Sequence, residues 1–231
     1  MKTVLITGSN RGLGLEFCRQ YCEAGWNVIA CCREPDTATA LLELAGLCAN
    51  FRVEELDVAN FDQIDRLAAR LSDVKLDVLI NNAGIYGDAA SIGFGKINFD
   101  TWMDNFRVNS LAPIKMSEAF LPNLVRSKNP LIVSVSSLMG SISDNTSGGS
   151  LIYRSSKAAL NAAMKSLSLD LKPKGIGVLI LHPGWVKTDM GGRNALIHAQ
   201  ESVSGMRQCI ENFDLEQTGS FLKYDKQSMP W

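Results

Sequence analysis

In the stretch "LIYRSSKAALNAAMKSLSLDL", residues 151–171, a tyrosine and a lysine stand four positions apart, Tyr153 and Lys157. The stretch reads as an amphipathic helix, and residues four apart on a helix share one face, with Cβ atoms roughly 5–6 Å apart. A phenol with its ordinary pKa near 10 is a poor proton shuttle at neutral pH. An ammonium beside it favours the phenolate, lowers that pKa and makes the proton easier to give. The pair therefore reads as a tuned acid, suited to a reaction in which negative charge develops on an oxygen. A surface tyrosine and a snorkelling lysine have the same spacing, so the elements that position the pair must decide between the two.

Other polar groups invite the same question. "VSVSSLMG" offers three hydroxyls, Ser134, Ser136 and Ser137, as a second donor. Successive side chains on a strand point to opposite faces, so Ser136 and Ser137 cannot both face one site. Asn109, in "NFRVNSLAP", is an amide inside a long apolar helical stretch, and is either a polar residue on a helix face or part of the site. His182, before Pro183-Gly184, reads as packing, and His198 has no visible partner. Neither suggests a metal. The six cysteines, at 18, 22, 31, 32, 48 and 209, form no C-x-x-C pair and read as reduced thiols, mostly small core residues.

Short apolar runs alternate with helical segments along nearly the whole chain. Strands are expected at 3–7, 27–32, 51–58, 76–84, 131–137, 177–184 and 220–224, with helices between them, the longest from about 98 to 125 and from 151 to 171. Runs of Val, Ile and Leu without polar alternation indicate strands covered on both faces. Strands alternating with helices indicate a parallel sheet with right-handed crossovers. The expected fold is α/β, a single Rossmann-type doubly wound domain over 1–231 with about seven parallel strands. A cofactor half up to about 130 precedes a catalytic and substrate half from about 131. The irregular stretches 85–97, 138–150 and 188–200 each follow a strand's C-terminal end, where open α/β sheets bind ligands.

The first crossover opens with "TGSNRGLG", Thr7 to Gly14. Its glycines permit a tight turn and close approach of backbone to a pyrophosphate, and the helix that follows favours anions at its N-terminus. Gly8, Asn10, Arg11, Gly12, Leu13 and Gly14 form the expected cradle. At the end of strand two, where an acid would bind a ribose 2′-hydroxyl and a base a 2′-phosphate, stands Arg33, with Glu34 one step later. Arg11 and Arg33 favour NADP(H), and Glu34 leaves NAD(H) open. Asp57 and Val58 end strand three, where Asp57 suits an adenine amino group and Val58 the ring face. Asn60 is the better placed cap for the helix after them. In "NNAG", Asn81 offers side-chain bonds to neighbouring strands, while Ala83 and Gly84 let the backbone approach a ribose. Pro183-Gly184 turns the chain after strand six and frees backbone groups.

Composition excludes several alternatives. With 23 basic and 24 acidic residues and a net charge of -1, there is no electrostatic footprint for nucleic acid or an anionic membrane. The N-terminal apolar run is too short for a signal peptide, and no run reaches the ~18 apolar residues of a membrane helix. The expected compartment is the cytoplasm.

Taken in order, T-G-x-x-x-G-x-G, D-V, N-N-A-G, a lone Asn in the fourth crossover, S-S, Y-x-x-x-K and P-G resemble the classical short-chain dehydrogenase/reductase family over residues 3–224. The segments "SSLMGSISDNTSGGSLIYRSSKAALN" and "HPGWVKTDMGG" and the final "PW" further resemble its C-factor-like and sniffer-type carbonyl reductase branch. The resemblance implies a tetrad of Asn109, Ser137, Tyr153 and Lys157. Ser137 would hold the substrate oxygen, with Gly140 three residues on. Tyr153 would give the proton, Lys157 would also bind a ribose, and Asn109 would hold a water linking Lys157 to solvent. It further implies that the Val186 backbone and the Thr188 hydroxyl orient a nicotinamide carboxamide. The expected substrate is a small hydrophobic aldehyde or ketone in a pocket lined by Ile85, Tyr86, Met139, Asn145, Trp185 and Met190. A dimer or tetramer through the long helices is compatible with the family. The competing expectation is a cofactor-binding signalling protein of the C-factor type with little turnover.

Overall fold

A computed structural model describes residues 1–88 and 93–231. In chain order the elements begin with β1 (Thr3–Thr7), α1 (Gly12–Glu23), β2 (Asn27–Cys32), α2 (Thr39–Leu47), β3 (Phe51–Glu55) and α3 (Phe61–Arg70). They continue with β4 (Val78–Asn81), α4 (Phe99–Phe106), α5 (Ala112–Ala119), α6 (Leu121–Leu124) and β5 (Leu131–Val135). The last are α7 (Leu151–Leu171), β6 (Gly177–His182), α8 (Ala199–Glu211) and β7 (Ser220–Lys223). All strands pair in parallel in the order β3-β2-β1-β4-β5-β6-β7, with helices on both faces, which is the Rossmann-type doubly wound arrangement.

Strand alternation sorts the interior into two layers. Leu5, Ile29, Cys31, Leu79, Ile132 and Ile180 point to one face, where α3, α5 and α7 supply Ile64, Leu67, Met116, Leu160 and Met164. Val4, Ile6, Ala30, Cys32, Ile80, Val133 and Leu181 point to the other, against Phe17, Tyr21 and Leu41 of α1 and α2 and Val203 and Met206 of α8. Cys31 and Cys32 fall in different layers, as neighbours on a strand must. Both faces are covered, which is why these strands carry no polar alternation. Asn60 caps α3 by accepting from the Gln63 amide at 3.2 Å, and the carboxylate of Asp57 accepts from the Ala59 amide at 2.9 Å.

Three expectations need correction. Strands 51–58, 76–84, 131–137 and 177–184 are all shorter than the apolar pattern suggests, because their last residues turn out of the ladder at the C-terminal edge of the sheet, and the strand expected from 76 begins only at Val78. The helix from 98 to 125 is not continuous. It passes through a π-helical turn at Arg107–Leu111 and ends as the separate short helix α6. Such turns recur at functional sites. The irregular stretch at 85–97 is seen except for 89–92, which lie outside the described residues.

The third correction concerns cysteine. Cys22, near the end of α1, and Cys48, just beyond α2, form a disulfide with Cα atoms 6.1 Å apart. Their 26-residue separation hides the pair from any reading of local spacing; only the packing of α1 beside α2 brings them together. Cys18, Cys31, Cys32 and Cys209 are free and buried. Thiol titration in denaturant is therefore expected to count four groups without reductant and six with it. Breaking the link by Cys48→Ser is expected to cost about 3.5 kcal/mol in urea unfolding, from loop-closure entropy. Six groups in the unreduced protein would show that the bridge is absent in solution.

Candidate active site

The polar residues singled out in the sequence gather at the C-terminal edge of the sheet. Around "TGSNRGLG" two glycines are dictated by space. Gly8 has φ +67°, and a Cβ there would sit 2.9 Å from the Ala83 Cα. A Cβ on Gly14 would strike the Gly8 carbonyl oxygen and would lie 2.7 Å from the Asn82 Nδ2. The loop thus folds back on the end of β4, and Ala83 must stay small. Helix α1 starts at Gly12 without a side-chain cap and without an acid in its first turn, so its first amides are available to an anion. Asn10 and Arg11 are exposed beside it, and Leu13 is half-buried against the core. Val58 packs into the core layer and Asp57 is half-buried at the edge.

The two arginines differ. Arg33 is exposed and, among the described residues, makes no ion pair, while the neighbouring Glu34 carboxylate accepts from the Thr37 hydroxyl at 3.4 Å. Arg11 is engaged across the cleft by Asp189 at 2.8 Å, both side chains largely exposed. Asp189 lies on the loop after β6, where Thr188 comes within 3.4 Å of the position a Cβ would take on Gly12. The Thr188 hydroxyl accepts from the Gly191 amide at 3.2 Å, and Val186 is buried in a bridge to Ile197. Gly184 has φ +81° and lets the chain turn between Ile197 and Tyr224, and the Pro183 carbonyl accepts from Ser202 at 2.6 Å.

Strand tying falls to Asn82 rather than Asn81. The Asn82 Nδ2 donates to the carbonyls of Thr7 at 2.9 Å and Gly8 at 3.2 Å, and its amide donates to the Thr7 hydroxyl. Among the described residues the Asn81 side chain makes only a 3.5 Å contact to the Pro113 carbonyl, and its Oδ1 is buried without a partner. The strand ends at Asn81, so the next side chain is the one that turns back over β1.

Tyr153 and Lys157 lie on the inner face of α7, and both are buried. The Lys157 Nζ donates to the Val135 carbonyl at 2.9 Å and lies 5.8 Å from the Tyr153 ring centroid. Burial pushes the lysine from 10.5 down to about 8. Burial also pushes the Tyr153 phenol up to about 12, against the Ser137 hydroxyl beside it, which pulls the other way. This corrects the expectation of a phenol lowered by its lysine. In the protein alone both groups sit in a low dielectric that disfavours their charged forms, and the ammonium is turned to a backbone carbonyl.

Ser137 accepts from the Met139 amide at 3.1 Å, which fixes it at the start of a short turn, Leu138–Gly140. Ser136 points away and donates to Asn161 at 2.6 Å, a structural role. His182 accepts from the Leu138 amide through Nδ1 at 3.2 Å, and burial first, with Lys223 second, lowers it to about 4. It is a neutral prop for the turn after Ser137.

Asn109 stands in the π-helical turn with both ends of its side-chain amide hydrogen-bonded. Its Oδ1 accepts from the Ile85 amide at 2.9 Å, and its Nδ2 donates to the Ile85 carbonyl at 2.9 Å and to Ser156 at 3.0 Å. The side chain therefore ties the segment after β4 to α7. Gly84 leaves room here: a Cβ would lie 3.2 Å from the Asn109 Oδ1 and 3.6 Å from the Lys157 Nζ.

A mostly apolar cavity of about 500 Å³ adjoins these groups. Met139 and Asn145 line it as expected, together with Phe94, Ile97, Ile142 and Leu151. Ile85, Tyr86, Trp185 and Met190 do not. Tyr86 instead packs on Tyr153 with ring centroids 5.0 Å apart, and Trp185 donates to the Gly191 carbonyl at 2.8 Å. Sequence reading missed Asp88, Asn82 and Asp189, whose partners lie 64 to 178 residues away. Among the described residues there is no cluster suited to a metal ion and no helix long and apolar enough to cross a membrane.

Comparison with known proteins agrees with this geometry. A sequence model of the short chain dehydrogenase family matches residues 2–196. The fold is similar to that of the carbonyl reductase Sniffer of D. melanogaster, with TM-score 0.93 and 37% identity over 100% of both chains. It is also similar to an NADPH-bound carbonyl reductase from chicken fatty liver, with TM-score 0.92 and 36% identity, covering 100% of this chain and 99% of that one. The C-signal of Myxococcus xanthus is 42% identical over 156 residues, covering 68% of this chain and 93% of that protein.

The buried lysine has a measurable signature. Between pH 8 and 10.5 the unfolded chain holds a proton that folded Lys157 has released, so stability rises with pH across that window. The penalty is fully present below pH 8 and gone above 10.5. Relative to Lys157→Met, the wild type is expected to gain about 3 kcal/mol of unfolding free energy over the window. A flat difference in urea titrations would place the ammonium in solvent.

Proposed function

The chain belongs to the short chain dehydrogenase family, and on that premise we propose that it is an NADP(H)-dependent reductase of small hydrophobic aldehydes or ketones, with Tyr153 as its proton donor. The observation that carries this reading is the convergence of Ser137, Tyr153 and Lys157 beside a glycine cradle sized by Gly8 and Gly14. A bound nicotinamide would supply the hydride. The protein's part is to hold the carbonyl oxygen between the Ser137 and Tyr153 hydroxyls and to neutralise the charge that develops there. Tyr153 gives its proton to that oxygen, and the Lys157 ammonium, a few ångströms from the ring, stabilises the phenolate left behind.

Residues up to about 130 would bind the cofactor, and those from about 131 would perform the chemistry and hold the substrate. The exposed guanidinium of Arg33 and the engagement of Glu34 by Thr37 favour a cofactor carrying a 2′-phosphate. The NADPH held by the chicken carbonyl reductase supports the same choice. Val186 and Thr188 lie on the loop facing Gly12, where a nicotinamide carboxamide would reach them. Met139 borders both Ser137 and the apolar cavity, which suits an apolar substrate body.

The similarity to the C-signal of Myxococcus xanthus motivates a second reading, a cofactor-binding regulatory protein with little turnover. NADPH oxidation by the purified protein, measured against aldehydes, quinones and diketones, separates the two. Turnover with NADPH is expected, falling at least a hundredfold in Tyr153→Phe. Arg33→Ala is expected to weaken NADPH about tenfold and leave NADH unchanged. Tight NADPH binding without turnover of any carbonyl would favour the regulatory reading, and no binding of either cofactor would overturn both.

A further inference from the structure

The helix that carries Tyr153 begins without a cap of its own. Ser150, the residue before it, is held in the left-handed region at φ +43°, and its side chain bonds no amide of the first turn. A cap side chain ordinarily serves the second and third amides of a helix, here Ile152 and Tyr153. Both are taken by a carboxylate from elsewhere in the chain. Asp88 accepts from the Ile152 amide at 3.2 Å and from the Tyr153 amide at 2.7 Å. The shorter of the two bonds is made to the backbone of the reactive residue itself.

Two further contacts come from the same segment. Tyr86 packs its ring against Tyr153 and shares a 2.8 Å hydrogen bond with the Ser150 hydroxyl, holding that residue in its left-handed conformation. Gly87 between them has no room for a side chain, since a Cβ would strike the Asn105 amide and lie 2.9 Å from Ile152. Upstream, Asn109 clamps Ile85 through both its amide and its carbonyl. The segment is thus fixed at one end and pressed on the start of α7 at the other.

We propose that Asp88 is a positioning residue for proton transfer. By capping α7 from the loop after β4, it holds the first helical turn in the one register that aims the Tyr153 hydroxyl at Ser137. This rests on Tyr153 being the proton donor. Without the cap two amides lose their partner, the turn frays, and the phenol leaves its line to the substrate oxygen while the glycine cradle is untouched.

The test uses the full chain with NADPH and a turned-over carbonyl. Asp88→Ala is expected to lower kcat about tenfold or more and leave the KM for NADPH within twofold. Asp88→Asn, which keeps an acceptor oxygen for the Tyr153 amide, is expected to restore kcat to within a few fold of wild type. Hydrogen–deuterium exchange is expected to quicken in Asp88→Ala over residues 150–156 and nowhere in the cradle. Should the alanine variant not fold, Asp88→Glu serves instead: it keeps the charge but displaces the carboxylate, and the same loss of kcat is expected. Unchanged exchange over 150–156 overturns the proposal whatever the turnover. So does a wild-type kcat in Asp88→Ala, or an Asn variant no better than the Ala variant. Tyr153→Phe, run alongside, tells the two failures apart: if it stays active the acid has been misassigned, and if it alone is inactive the fault lies with Asp88.

Discussion

An ammonium group buried without a carboxylate partner sets the terms for the rest of this site. Lys157 is 4% exposed, and among the described residues it pairs with no acid; its one hydrogen bond goes to the Val135 carbonyl. Burying an unpaired cation is costly, and the Val135 carbonyl offsets only part of that cost, the remainder appearing as the lowered lysine pKa, while the groups around it are closely packed. Gly140 is a condition of that packing, because a Cβ there would lie 2.9 Å from the Lys157 backbone and side chain. Gly84 is another, leaving room near the Nζ. The turn after Ser137 can lie on α7 because it carries a glycine where any other residue would push the helix away.

The same packing explains why the hydroxyls are ordered as they are. With α7 pressed onto the end of β5, Tyr153 falls beside Ser137 rather than Ser136, and strand alternation sends Ser136 to Asn161. His182 closes the arrangement from β6 by accepting from the Leu138 amide. Three adjacent strands contribute at their C-terminal ends, Asn82 just beyond β4, Ser137 just beyond β5 and His182 as the last residue of β6.

Much of this was legible in the sequence for a physical reason. Strand periodicity, glycine at a strand-to-helix turn and residues at helical spacing are local signals, and each constrains its own neighbourhood. They suffice for the sheet, the cradle and the Tyr153–Lys157 face. What was not legible is non-local. Asn81 and Asn82 are equivalent as letters, and only the point at which the strand ends decides which one reaches Thr7. The break in the helix at Asn109 depends on a π-turn that apolar periodicity does not reveal. The raised phenol of Tyr153 in the protein alone is likewise not legible, because spacing reports proximity to a cation but not the burial of both groups. Asp88 and Asp189 had no signal at all, since an acid in a loop looks the same whether it faces solvent or a helix 64 residues away.

The covalent link between Cys22 and Cys48 makes a closed ring of the backbone that contains β2, Arg33 and α2. A protease that cuts a single peptide bond inside this ring releases no fragment. The two pieces stay joined through sulfur, and the nicked molecule keeps every atom of the original plus one water. Damage to the segment that carries Arg33 would therefore be silent on a non-reducing gel and become visible only once a reductant is added.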